Sequence, residues 1–343
     1  MTATVMRASV LTATARIEMQ ERPVPSPATD EVLVLVASVG VCGSDVHYYR
    51  HGRIGPMVVE SPLVLGHEVG GTIVETGAAV DSSRVGQRVA LEPQRPCRRC
   101  RACKTGHLNL CLRMEFFATP PIDGSFCDYV VVPADFAHPV PDSMSDAAVA
   151  LCEPLSVGLW ANQKGRTAAG SRVFITGAGP IGAVVALAAR AMGATEIIVS
   201  DPVESRRRRI EALVGASTVD PSAGFDAAEV GADVFLECSG ATPALRDGFK
   251  AVRSGGVAVL VGHGEEEVKI PLLDLQIREV TVTGIFRYVD TWPIAISLAS
   301  TGRVDLDALV TARFDLEDTE AALTSDDDPM SMKSVVVVNE GSA

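Results

Sequence analysis

The sequence predicts an α/β protein of two domains, a β-rich domain followed by a doubly wound parallel sheet. Three observations carry this expectation. At 343 residues the chain exceeds one typical domain, so two hydrophobic cores are expected. Residues 1–150 show short β segments punctuated by Gly and Pro, the pattern of a twisted, mostly antiparallel sheet. Beyond residue 152 strands alternate with apolar helical stretches, the signature of parallel βαβ units.

In the first part, residues 5–11 and 31–39 read as strands, split by the Pro-rich turn Arg22-Pro-Val-Pro-Ser-Pro27. Residues 32–39 form a continuous apolar run, as in a strand buried on both faces. That run leads into Gly40-Val-Cys-Gly-Ser-Asp-Val-His-Tyr-Tyr-Arg-His-Gly52, which sets Cys42, Ser44, Asp45 and His47 close together. Gly66-His67-Glu68 adds a second imidazole and another carboxylate. Cys sulfur, His nitrogen and Glu oxygen suit Zn²⁺, and three such ligands leave a fourth position open, the mark of a catalytic zinc. The alternative for Cys42 is a buried thiol beside a surface His. The glycines framing both segments, which let backbone approach a site, weigh against it. Residues 70–76 and 87–92 complete the β-rich pattern.

Cys97-x₂-Cys100-x₂-Cys103-x₇-Cys111 is the second metal signal. Four thiolates from one lobe, about residues 93–113, make a closed zinc site that holds the loop and catalyses nothing. Two local disulfides are the alternative, disfavoured in a reducing compartment. Arg98, Arg99, Arg101 and Lys104 would offset the charge of the thiolates. Cys127, Cys152 and Cys238 have no partner spacing and read as core residues.

A helix is expected over 155–161, following Pro154. Residues 172–176 then read as a strand, Gly177-Ala-Gly-Pro-Ile-Gly182 as a tight turn, 183–192 as a helix and 196–201 as a strand ending in Asp201. Gly177, Gly179 and Gly182, with Pro180 and Ile181 between them, sit between strand and helix with an acid about twenty residues on. Such glycines permit the turn and the approach of a pyrophosphate, which the helix N-terminus stabilises. Asp201 is placed to bond ribose hydroxyls and to repel a 2′-phosphate, which favours NAD. Pro202 and Arg206 leave some room for NADP. Segments 232–237, 241–252, 257–262 and 279–286 continue the alternation. The remainder holds a helix at 292–300, an acidic helix at 316–325 and a last strand at 333–338, and is expected to return to the first domain. The expected division is therefore 1–153 with 287–343, and 154–286.

Hydrophobic residues at 47% and charged residues at 21% describe an ordinary globular chain. A net charge of −13 argues against nucleic acid or an anionic membrane as the main partner. The basic run 206–209 reads as a solvated helix face. The N-terminus lacks the apolar core of a signal peptide, and no stretch of about 18 apolar residues occurs. A cytoplasmic location is expected.

Taken in order, Gly-x-Cys-Gly-Ser-Asp, Gly-His-Glu, the Cys₄ lobe, Glu153-Pro154 and Gly-x-Gly-x-x-Gly resemble the zinc-dependent medium-chain dehydrogenase/reductase family over essentially the whole chain. Within it the sequence is most similar to polyol dehydrogenases of the sorbitol/xylitol type. The stretches that carry this are Val46-His-Tyr-Tyr-Arg-His-Gly-Arg-Ile-Gly55, Phe116-Phe-Ala-Thr-Pro-Pro121, Cys152-Glu-Pro-Leu-Ser-Val-Gly158 and Phe286-Arg-Tyr-x-x-Thr-Trp-Pro293. The resemblance implies a GroES-like catalytic domain, a Rossmann NAD-binding domain and a homo-oligomer, a tetramer in such relatives. It implies Cys42, His67 and Glu68 as catalytic-zinc ligands, with Glu153 near the metal directly or through water, hence two zinc ions per chain. The implied activity is oxidation of a polyol secondary alcohol to a ketose with hydride transfer to NAD.

Zinc lowers the pKa of an oxygen it binds, which a weakly acidic alcohol needs. Ser44 and His47 are placed to carry the released proton toward solvent. Asp45 either fixes the His67 tautomer or caps a local turn. Tyr48, Glu153, Arg287 and Tyr288 are candidate hydroxyl partners, with Phe116 as an apolar wall. A threonine-type or simple-alcohol dehydrogenase is the nearest alternative, and a non-catalytic zinc or NAD-binding protein the alternative of another class.

Overall fold

The computed structural model describes residues 4–328 and 330–339 and divides into two compact units, Met1–Glu153 with Trp292–Ala343, and Pro154–Thr291.

The first unit is built on the strand Glu31–Gly40. Val32, Val34, Val36 and Val39 on it are wholly buried, as a run of β-branched residues demands. Glu31–Gly40 pairs antiparallel with Glu68–Thr76 on one side and with Lys333–Val337 on the other. Tyr129–Pro133 also pairs with it. Arg88–Leu91 and Ala137–Pro139 extend one edge, and Val310–Asp315, parallel to Lys333–Val337, extends the other, giving a seven-stranded sheet. A second sheet joins Val5–Ala13 to Arg16–Pro23 and Leu63–Val64. Arg16–Pro23 is a strand with no fully buried side chain, which sequence reading left unassigned apart from Arg22 and Pro23 in the Pro-rich turn.

Register decides the local chemistry. Gly40 lies opposite Glu68, and Val335 lies opposite Gly40 on the other flank. Three strands therefore bring the Cys42 loop, His67-Glu68 and Lys333 to one end of the sheet. Residues 43–51 form a helix, Gly43–His51, with Asp45 in its first turn, Arg50 and His51 in its last and Gly52 closing it at φ +67°. The charges suit the helix dipole, and the glycine suits a left-handed cap.

The second unit is a six-stranded parallel sheet ordered Ser217–Val219, Glu196–Ser200, Arg172–Thr176, Ala232–Glu237, Val252–Leu260, Thr281–Gly284. The first three run outward in one direction and the last three in the other, the doubly wound arrangement. Helices Pro180–Ala191, Glu204–Val214 and Thr242–Ala251 connect strands. Phe174, Phe235 and Phe249 pack in its core, with ring centroids 5.9 and 6.2 Å apart. The acidic stretch expected as one helix is a 3₁₀ turn, Leu316–Asp318, followed by the short helix Thr319–Thr324.

Candidate metal centres and dinucleotide site

Cys42, His67 and Glu68 each offer a ligand atom, and these atoms lie within 4.8 Å of one another. The architecture makes room for them. A Cβ on Gly40 would stand 2.1 Å from Glu68 Oε2, so only glycine opposite Glu68 leaves that oxygen its place. Gly66, at φ +88°, turns the chain ahead of His67. Asp45 ties the two ligand loops together: Oδ2 accepts the Cys42 amide at 3.1 Å and Oδ1 the Gly66 amide at 3.0 Å. His67 Nδ1 stands 3.4 Å from Asp45 Oδ1, an ion-pair contact longer than a good hydrogen bond. Asp45 thus acts first as a cap joining the loops and second as the charge facing His67.

Electrostatics at this end of the sheet are unusual. Burial would lower the His67 pKa, but the charges of Asp45 and Cys42 outweigh it and hold it well above its ordinary value. Burial would raise Asp45, and His67 with the two amides outweighs it, so Asp45 lies below its ordinary value. Glu68 Oε1 accepts from the ammonium of Lys333, whose Nζ also donates to Val41 O at 2.7 Å. Burial disfavours charge on Lys333, and the nearby charges of Glu68 and Cys42 more than restore it. Glu68 Oε2, buried, accepts no hydrogen bond. An anionic oxygen left bare beside a thiol and an imidazole is what a cation-binding site requires, so these residues fit zinc. Glu153 is also buried, and its charge favours the charged form of Lys333.

The second cluster is as well formed. Cys100 Sγ lies 3.5 Å from Cys103 Sγ and 3.8 Å from Cys111 Sγ. Disulfide sulfurs stand about 2.05 Å apart, whereas sulfurs bound tetrahedrally at about 2.3 Å are separated by about 3.8 Å. All four cysteines are free thiols. The Arg99 amide leads the lowering of Cys97 to about 6, while burial and then Cys100 push Cys103 up to about 12. Four thiolates this close need a cation, and Cys97, Cys100, Cys103 and Cys111 fit a closed zinc site.

Of the other first-unit candidates, Ser44 is half-buried and His47 exposed on the helix Gly43–His51, whereas Tyr48 and Phe116 are buried. The Phe116 ring lies 5.6 Å from that of His67.

In the second unit the glycine turn has the geometry a pyrophosphate needs. Gly177 takes φ +91°, and a Cβ on Gly182 would stand 1.9 Å from Gly177 O. A Cβ on Gly179 would meet nothing within 4 Å, so that face is open. Pro180 starts the helix, with Ile181 half-buried behind it. Asp201, buried, accepts the Ala178 amide through Oδ2 and the Val203 amide through Oδ1, each at 2.8 Å. Arg207 donates to the Asp201 carbonyl at 2.6 Å. Arg287 takes φ +54° with its guanidinium 4.7 Å from the Phe286 ring centroid. Tyr288 exposes no surface.

Residues 28–142 match the alcohol dehydrogenase GroES-like domain, and residues 180–301 match the zinc-binding dehydrogenase domain. Sorbitol dehydrogenase of Gallus gallus is 43% identical over 88% of this chain and 87% of its own. The chain belongs to the zinc-dependent medium-chain dehydrogenase family. Sorbitol dehydrogenase of Bacillus subtilis is 42% identical over 93% of this chain and 92% of its own. A structure from Sinorhizobium meliloti bound to NADP superposes with a TM-score of 0.90 at 32% identity, covering 98% of this chain and 100% of that one. Among the described residues no helix is long and apolar enough to cross a membrane.

Lys333 is the functional residue that sequence reading missed. Its signal was a lysine opening an otherwise apolar strand, Lys-Ser-Val-Val-Val, a place where burial without a partner is costly.

Proposed function

We propose that this chain oxidises a secondary alcohol of a five- or six-carbon polyol to a ketose, with NAD as hydride acceptor. The observation that carries the reading is the three-ligand centre Cys42, His67 and Glu68, incomplete by one position, in a chain 43% identical to a sorbitol dehydrogenase. A closed site would only hold structure, and a mere binding protein needs no open one. When bound, zinc supplies Lewis acidity toward the alcohol oxygen and the nicotinamide ring a hydride sink.

The chain's own residues do the rest. Cys42, His67 and Glu68 hold the ion, with Lys333 compensating Glu68. Ser44 accepts the alcohol proton while passing its own toward His47, which is open to solvent on the next turn of the helix. Phe116 excludes water beside His67. Tyr48, Glu153 and Arg287 bond the remaining hydroxyls, and Gly177, Gly179, Pro180, Ile181, Gly182, Asp201 and Arg206 hold the dinucleotide. Asp201 supports NAD over NADP because its charge would face a 2′-phosphate.

Self-association is part of the reading. The strand Thr281–Gly284 is an edge of the parallel sheet, and Leu272, Leu273, Ile277, Val282 and Phe286 near it are exposed. Such an edge supports pairing with a second copy of the chain, and light scattering after size exclusion reports the order of the oligomer.

The test is an initial-rate panel with NAD across sorbitol, xylitol, ribitol, mannitol, threonine and 2-butanol. The expected result is the highest kcat/KM on one of the polyols. A preference for threonine or 2-butanol would overturn it.

A further inference from the structure

We infer that Glu237 is a positioning residue for the dinucleotide, its carboxylate fixing the loops that border the crevice at the carboxyl end of the parallel sheet. The inference rests on the dinucleotide half of the reading above. The sheet reverses its winding between Arg172–Thr176 and Ala232–Glu237, and open parallel sheets take their ligands outside the strand ends at that point. Glu237 ends the second of these strands and is 4% exposed.

Its bonds reach three loops. Oε1 accepts from Ser239 N at 2.7 Å, Ser239 Oγ at 2.6 Å, Gly240 N at 2.8 Å and Thr176 Oγ1 at 3.4 Å. Its carbonyl accepts from Val261 N at 2.9 Å and Gly262 N at 2.8 Å. Thr176 precedes the glycine turn, and the other two loops follow the next strands of the sheet.

These loops pack backbone against backbone. A Cβ on Gly240 would stand 2.1 Å from His263 O, one on Gly264 2.4 Å from Gly240 O and one on Gly262 2.5 Å from Gly240 N. A Cβ on Gly177 would stand 3.0 Å from Ser239 N. Main-chain bonds to the Glu237 and Thr176 carbonyls tie the three loops together, while Glu237 Oε1 holds Ser239 and Gly240 in place and reaches Thr176; Ser239 N is the group the Gly177 turn packs against. A strand end needs no buried carboxylate to fold, and such a group is costly to desolvate. Its use here is to hold the turn in which Gly177 and Gly179 meet the pyrophosphate. A dinucleotide bound through backbone groups is sensitive to small displacements of that backbone.

The experiment is fluorescence titration of NADH into zinc-loaded full-length wild type, Glu237→Ala, Glu237→Gln and Ser239→Ala. Zinc content and circular dichroism report the fold. Glu237→Ala should weaken NADH binding roughly 10- to 100-fold with both zinc ions retained. Glu237→Gln keeps an acceptor oxygen at the same reach, so it should bind within about threefold of wild type. Ser239→Ala, which removes one donor, should fall between them. With a turned-over alcohol, KM for NAD should rise while kcat at saturation changes little. Glu237→Ala binding NADH within about twofold of wild type, or Glu237→Gln as weak as Glu237→Ala, overturns the inference. If Glu237→Ala does not fold, Ser239→Ala decides, and an unchanged NADH affinity in it overturns the inference. Titration needs no alcohol, so a panel without polyol turnover leaves this result standing, and an unchanged affinity here leaves polyol oxidation standing.

Discussion

Replacing Lys333 by Met should destabilise the metal-free protein far more than the metal-loaded one. The ammonium is 4% exposed and donates to Glu68 Oε1 and to Val41 O. Methionine fills similar volume but donates nothing, so Glu68 keeps a buried charge without a partner and the Val41 carbonyl loses a bond. Breaking a buried pair from one side costs about 3–5 kcal/mol. A cation beside Glu68 Oε2 compensates the same carboxylate, so with zinc bound the loss should shrink to about 1–2 kcal/mol, the scale of the hydrogen bond to Val41. By linkage, the variant should gain zinc affinity at the Cys42 centre by the difference between the two losses. The assay is denaturant unfolding of wild type and Lys333→Met, each with and without the catalytic zinc, together with zinc release to a chromogenic chelator. Equal losses in both forms, with zinc affinity unchanged, would refute the reasoning and leave Lys333 as a packing residue.

Cys103→Ser should remove one zinc of two, because three thiolates cannot close the lobe, and metal analysis finding both ions would count against the structural site. Asp201→Ala should narrow the preference for NAD over NADP, measured as the ratio of kcat/KM values; since the carboxylate also accepts the Ala178 and Val203 amides, NAD binding should weaken as well. A ratio that stays put would transfer the selectivity to another residue. Arg287→Ala should cost about 1.5–3 kcal/mol in kcat/KM for a long polyol, the scale of charged hydrogen bonds, and much less for 2-butanol, which cannot reach it. Equal losses on both would make Arg287 structural.

The chemistry that depends on short spacing was legible in the sequence. Cys97 to Cys111, Gly177 to Gly182 and the His67-Glu68 pair each lie within one loop, so residue type and interval state the ligand. The strands 31–39, 172–176 and 232–237 were legible because each carries a run of three or more consecutive apolar, mostly β-branched or aromatic residues. What stayed hidden needed register or capping. Lys333 meets Glu68 across 265 residues, a contact visible only once Val335 is known to face Gly40. The helix Gly43–His51 was not legible in the sequence, since Gly43, two Tyr and two His are weak helix formers; its dipole-matched ends and the cap at Gly52 hold it instead. Arg207, which donates to the Asp201 carbonyl, was not singled out, because a run of four arginines does not say which one turns back to the strand end. Tyr288 follows an exposed Phe286 in sequence, yet its side chain is wholly buried, which local pattern does not reveal.

The central claim is that an open zinc centre oxidises a polyol with NAD. The most direct measurement supplies xylitol or sorbitol and NAD to the zinc-loaded protein and quantifies ketose and NADH together. Equal amounts of ketose and NADH are expected, with both lost in Cys42→Ser while that variant keeps its structural zinc and its fold. No ketose from any polyol tested, or undiminished turnover in Cys42→Ser, would contradict the account.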